Sequence, residues 1–143
     1  MKLLESKLGR IVFAQLSEGE DLLETITLAA EKSHITAGCF IFIGTLKKAN
    51  LGFYHKGKYK TIKIDIPLEI VSCMGNVSVK ENKPFVHAHI SVSNEKSEVM
   101  GGHLMPGCII AAAGELVLIE AVNVRLIRKL DEKTQLFLWS MEK

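Results

Sequence analysis

The chain has no excess of charge of one sign, no long apolar run and no cysteine framework, and each absence removes a class of protein. Across 143 residues, 18 Lys and Arg face 16 Asp and Glu, a formal net charge of +2. That balance excludes a polybasic protein that grips nucleic acid by bulk charge, although a local basic patch remains compatible with it. With 48% apolar residues, the chain also lacks the composition of a disordered protein. Its most apolar stretch, residues 108–124, is interrupted by Gly114, Glu115, Glu120 and Asn123. It falls short of the ~20 residues that a membrane-spanning helix needs. The first seven residues carry Lys2, Glu5 and Lys7 and hold no continuous apolar segment. No signal peptide is recognised there, so a cytoplasmic location is expected.

Only three cysteines occur, Cys39, Cys73 and Cys108, without a CxxC spacing and each inside an apolar run. They are expected to be small buried hydrophobes in a reducing compartment rather than disulfide or zinc-knuckle partners. The three prolines, Pro67, Pro84 and Pro106, are isolated, and no linker, repeat or low-complexity tract appears. Residues 1–143 therefore read as one domain. A GxSxG nucleophile elbow, a Walker loop and a helix-opening GxGxxG are all missing, so no familiar reaction is specified.

What is present is apolarity beyond what a small monomer can hide. The mean hydropathy is +0.20 in a 15.8 kDa chain. A domain of this size has little interior, which predicts a buried subunit interface.

One helix is expected. Ser17-Glu18-Gly19-Glu20 fits the S-x-x-E capping box, and Leu22, Leu23, Ile26, Ala29 and Ala30 then recur at helical spacing. The helix should end around residues 32–34, before Gly38. Strands are expected over residues 10–16, 39–45, 48–55, 59–66, 68–79, 85–92, 108–113, 116–130 (broken near Val122) and 135–140. Lys56-Gly57-Lys58, Glu81-Asn82-Lys83-Pro84 and Asp131-Glu132-Lys133-Thr134 carry the turn signals between them. The result is an α+β fold, a mostly antiparallel sheet packed with one main helix and short helical turns. Alternation that is two-sided in places predicts strands covered by the helix on one face and by a neighbouring subunit on the other.

The informative segment is Pro84-Phe85-Val86-His87-Ala88-His89-Ile90-Ser91-Val92. Strand alternation puts Val86, Ala88, Ile90 and Val92 on one face and Phe85, His87, His89 and Ser91 on the other. Two imidazoles at i and i+2 then start ~6.5–7 Å apart, close enough to converge on one ion. Gly101-Gly102-His103-Leu104 supplies a third. Its paired glycines permit a left-handed bend or a close backbone approach that would return His103 to an adjacent strand. Three neutral imidazoles match a three-ligand zinc site with an open position, although iron, nickel or copper also sit on such sets. The alternative is that these histidines only hydrogen-bond or pack at an interface.

Glu69 and Glu115 lie in otherwise apolar strands. Each is a candidate to orient a ligating histidine, or else an edge residue facing water. Lys56, Lys58, Lys60 and Lys63 surround one hairpin, and Arg125, Arg128 and Lys129 lie near another. The first group is a candidate for phosphate contact, or a solvated edge that blocks unwanted strand pairing. His34 and His55 are read as solvated polar residues without a role.

Taken in order, Gly44-Thr45-Leu46, Leu51-Gly52-Phe53-Tyr54, residues 68–76, Pro84-Phe85-Val86-His87-Ala88-His89-Ile90 and Gly101-Gly102-His103-Leu104 resemble the PPC (plants and prokaryotes conserved) domain. The resemblance covers roughly residues 10–130. It implies an α+β fold assembled as a homotrimer, with His87, His89 and His103 at the positions where prokaryotic members can hold zinc. In plants the domain follows a basic AT-hook, which this chain lacks, and serves mainly for self-association and partner recruitment. Leu68-Glu69-Ile70 resembles the start of the plant partner-contact stretch, with Leu68 in place of Phe. The function that follows is a trimeric binding protein, associated with DNA or transcription, bearing a three-histidine zinc site. The alternative is a metal-dependent enzyme or small-molecule sensor using the same histidines, with Glu115 or Glu69 orienting a ligand or moving a proton.

Overall fold

The computed structural model describes residues 1–140. Its elements follow in the order β1(Lys7–Ser17), α1(Leu22–Lys32), β2(Gly38–His55), β3(Lys58–Ile64), β4(Leu68–Lys80), β5(Lys83–Ser93), β6(Val99–Leu104), β7(Ile109–Val122), β8(Ile127–Asp131) and β9(Leu136–Ser140). The class is α+β, as expected. All strands join one sheet in the order β1-β7-β2-β6-β5-β4-β8-β9, with β3 beside β2. Pairing is antiparallel except for the single parallel contact of Val79 with Ile127.

The eighteen-residue β2 organises the rest. Its first half pairs with both β7 and β4, from Gly38 to Leu46. Its second half pairs with β3 and, through Leu51 and Gly52, with β6. Since β5 joins β4 to β6, the strands β2, β4, β5 and β6 close a ring. The inward face carries Phe40, Phe42, Cys73, Ile90, Val92, Leu116 and Leu118, all essentially inaccessible. Helix α1 packs against β5, β7 and β1 and adds Leu22, Ile26 and Ala30 to the same core. Each large buried aliphatic contributes about 1.5–3 kcal/mol relative to exposure.

The start of the helix differs from the expectation. Ser17 is the last residue of β1, held in the ladder opposite Ala113, so it cannot cap. Asp21 is the cap instead, its Oδ1 accepting from the backbone N–H groups of Leu23 (3.0 Å) and Glu24 (3.1 Å). Half of the expected box survives, because Glu20 accepts from the Ser17 N–H at 2.6 Å. The helix ends at Lys32, where expected, and His34 turns the chain at φ 56°. The Lys56-Gly57 and Glu81-Asn82 turns have positive φ at both central residues, the geometry that two-residue hairpins favour.

Two further differences concern residues flagged in the sequence. Cys39 is exposed, because it falls on the outward face of β2 between buried Gly38 and Phe40, whereas Cys73 and Cys108 are buried. The Gly101-Gly102 pair does not bend the chain but lies inside β6. A Cβ at Gly101 would sit 2.7 Å from the Ile90 carbonyl oxygen, and one at Gly102 would sit 2.8 Å from that of Gly52. The glycines therefore permit close backbone approach, the second of the two roles anticipated for them. Among the described residues, no helix is long and apolar enough to cross a membrane.

Candidate metal centre and adjoining cavity

Register assembles the site. Val86, Ala88, Ile90 and Val92 are buried on the core side of β5, which sends His87 and His89 outward. Across the ladder His89 stands directly opposite His103 on β6. The ring centroids are 5.4 Å (His87–His89), 5.1 Å (His87–His103) and 5.5 Å (His89–His103) apart. One ligating nitrogen from each ring lies within 4.8 Å of the others. The three histidines singled out in the sequence are therefore brought together.

The chemistry of this donor set fits a metal ion. Among the described residues, His103 Nδ1 is buried and has no hydrogen-bond partner, a costly condition for a polar atom. Burial, and after it the charges of His87, His89 and Arg128, lowers the His103 pKa to about 4. The His87 pKa is lowered too, first by burial and then by Arg128 and His89. Two of the rings are thus held neutral, the form that ligates.

Neither candidate carboxylate joins the cluster. Glu69 is exposed and pairs with Ser93, four residues along β5 from His89. Glu115 is exposed on β7, with β2 and β4 lying between it and β5. Neither side chain makes a hydrogen bond or ion pair among the described residues. Both face water, as the alternative expected, but neither lies at a sheet edge, since β7 pairs with β1 and β2 and β4 pairs with β2 and β5. Lys56, Lys58, Lys60 and Lys63 are all exposed on the β2–β3 hairpin, but alternation along β3 sends Lys58 and Lys60 to one face and Lys63 to the other.

Residues that the sequence did not single out complete the surroundings. Tyr59 stacks beside His103 with ring centroids 4.7 Å apart. The β8–β9 hairpin brings in Arg128 and Phe137, and β5 adds Phe85. Together they line a cavity of ≈ 260 Å³ that reaches His87 and His103. In the sequence Arg128 reads only as part of a charge cluster with Arg125 and Lys129. The available sign was its alternation with Leu126 and Leu130, a pattern too common to mark a site.

On the opposite side, the histidine row continues as apolar surface. Direct register links Phe13, Val117, Ile41, Met74, His89 and His103 across six strands. Phe13 is 75% exposed, Met74 57% and Ile41 49%.

Comparison with known proteins agrees with this geometry. The model of the Plants and Prokaryotes Conserved (PCC) domain matches residues 4–122. A plant- and prokaryote-conserved protein from Pyrococcus horikoshii is 36% identical, with a TM-score of 0.90 over 100% of this chain and 99% of that one. A metal-containing protein from Archaeoglobus fulgidus is 34% identical, with a TM-score of 0.90 over 98% and 99%. A proposed DNA-binding protein from Ralstonia eutropha is 25% identical, with a TM-score of 0.80 over 90% and 89%. Among curated proteins, bifunctional GlmU of Synechococcus is 28% identical over 126 residues, and the chain spans 19% of its length.

Proposed function

Because the chain belongs to the Plants and Prokaryotes Conserved domain family, we propose that it is a self-associating binding protein whose His87, His89 and His103 hold a zinc ion beside a ligand cavity. The carrying observation is the buried, unpartnered Nδ1 of His103 within a cluster of three converging imidazoles. The metal-containing relative from Archaeoglobus supports the same reading. When bound, the ion supplies a Lewis acid able to polarise an oxygen of a ligand. The chain's own residues do the rest. His87 and His103 present neutral donors, Tyr59 braces His103, and exposed His89 leaves the cluster open on one side. Binding rather than catalysis is the function assigned, with metal-dependent chemistry at the same histidines as the alternative.

The unit is a homotrimer, formed through the outward apolar row of Phe13, Ile41 and Met74, which a single chain leaves open to water. The three free cysteines accord with the reducing cytoplasm as its location. Metal analysis tests the centre. Protein purified without chelator should carry about one zinc per chain, and His89→Ala should lose it. Unchanged metal in the variant would place the ion elsewhere.

A second reading, association with DNA, is favoured by the exposed lysines of the β2–β3 hairpin and by the Ralstonia relative. A trimer would gather three such hairpins, which matters because duplex affinity follows the number of phosphates neutralised. Fluorescence anisotropy with duplex DNA at low salt decides it, and no binding there removes this reading.

A further inference from the structure

Among the described residues, one charged side chain is buried: Arg128, 8% exposed. Its Nε donates to Ser78 Oγ at 2.8 Å, its Nη1 to the Phe137 carbonyl at 2.7 Å and its Nη2 to Asn76 Oδ1 at 2.9 Å. All three acceptors are neutral, and no carboxylate of the described residues reaches the guanidinium. Burial pulls its pKa below the ordinary arginine value, and the nearest compensation besides those acceptors is aromatic, the Phe85 ring at 5.0 Å and the Trp139 ring at 5.8 Å. A buried cation is tolerated when an anion or a full set of acceptors meets it, and among the described residues two of its five N–H groups have no acceptor.

The guanidinium borders the ≈ 260 Å³ cavity, which His87, His103, Tyr59, Phe85 and Phe137 also line and which no acidic side chain enters. That space equals roughly nine waters at ~30 Å³ each, enough for a small molecule only. One guanidinium among mostly apolar walls suits a carboxylate, whose two oxygens match its donors. A phosphate would leave further charged oxygens against carbon.

We propose that this cavity binds the carboxylate of a small aromatic acid, with Arg128 anchoring the anion and Tyr59, Phe85 and Phe137 enclosing the ring. The assignment deepens the reading of the cavity as a ligand site, yet it does not require the metal.

The test uses benzoate and its neutral isostere benzamide, titrated calorimetrically into zinc-free protein. Benzoate should bind at least tenfold more tightly than benzamide, and Arg128→Lys should remove that preference while zinc uptake stays unchanged. Equal binding of the two probes, no binding of benzoate, or a preference untouched in Arg128→Lys would each overturn the proposal. If the variant does not fold, the two probes on the unaltered chain decide the matter. Discrimination without zinc uptake would leave this site standing and remove the metal centre; zinc uptake without discrimination would do the reverse.

Discussion

Gly52 lies directly opposite His103 in the β2–β6 pairing, and the space where its side chain would be is already taken. A Cβ there would lie 3.0 Å from the Tyr59 ring, 3.0 Å from Met105 Sδ and 3.2 Å from His103 Cβ. Met105 can swing aside, but Tyr59 is stacked on His103 and cannot move without disturbing it. Gly52→Val should therefore turn His103 away from its two partners. Zinc affinity should fall about tenfold or more, the scale seen when a support of a ligand is lost. Overpacking should cost about 1–3 kcal/mol of stability. Competition against a coloured chelator reads the first effect, and unchanged affinity would mean that the close approach does not govern His103.

Bound metal should stabilise the folded chain, because the three imidazoles converge only in that state. At a free zinc concentration 100 times the dissociation constant, linkage predicts about 2.7 kcal/mol. Zinc should therefore raise Tm by several degrees and EDTA should reverse the rise, with His89→Ala showing neither. Scanning calorimetry provides the check, and a Tm indifferent to both reagents would speak against the site.

Acid should weaken the metal-free protein. Burial, and after it the charges of His87, His89 and Arg128, lowers the His103 pKa to about 4, whereas an unfolded histidine titrates near ~6.5. Between those values the unfolded chain binds more protons, so stability rises with pH across the window. Stability should be full above pH ~6.5 and be lost progressively as pH falls toward ~4, with His87 acting in the same direction. Urea midpoints of EDTA-treated protein should fall accordingly, and His103→Gln should flatten the dependence. A flat profile in the unaltered chain would contradict the depressed value.

Asp21 joins the helix to the loop before β7, because its Oδ2 accepts from the Gly107 N–H at 2.6 Å while Oδ1 caps α1. Asp21→Ala should cost about 1–2 kcal/mol, the upper part of the range for a lost cap. A urea titration measures this, whereas Ser17→Ala should change little.

The alternation in residues 85–92 was enough to place two histidines outward, since a strand with one apolar face has a single register that buries it. The helix stripe was equally readable, but its cap was not. Ser17 and Asp21 are both good capping residues, and only the pairing of Ser17 with Ala113 decides between them. β6 escaped recognition because Val99-Met100-Gly101-Gly102 has little strand propensity of its own. Its place depends on the backbones of Ile90 and Gly52 coming close to it. Arg128 was invisible as a site residue for the same reason. Its burial depends on Asn76 and Ser78, some fifty positions earlier in the chain.

The apolar row gives the sharpest test of assembly. Phe13, Ile41 and Met74 sit in direct register around Val117, so a partner covering one of them covers all of them. Phe13 is a large aromatic at 75% exposure on a strand that, among the described residues, pairs only with β7. Its burial in an interface would contribute about 1.5–3 kcal/mol per copy. Ile41→Asp would place a charge in the middle of that surface without touching the core, since Phe40 and Phe42 point inward. Sedimentation equilibrium should find the unaltered chain as a trimer and Ile41→Asp at the single-chain mass of 15.8 kDa. Phe13→Ala should shift dissociation by about tenfold or more per lost contact, as ~1.4 kcal/mol is one decade. A monomeric unaltered chain at micromolar concentration would leave the exposed row without the partner its composition calls for.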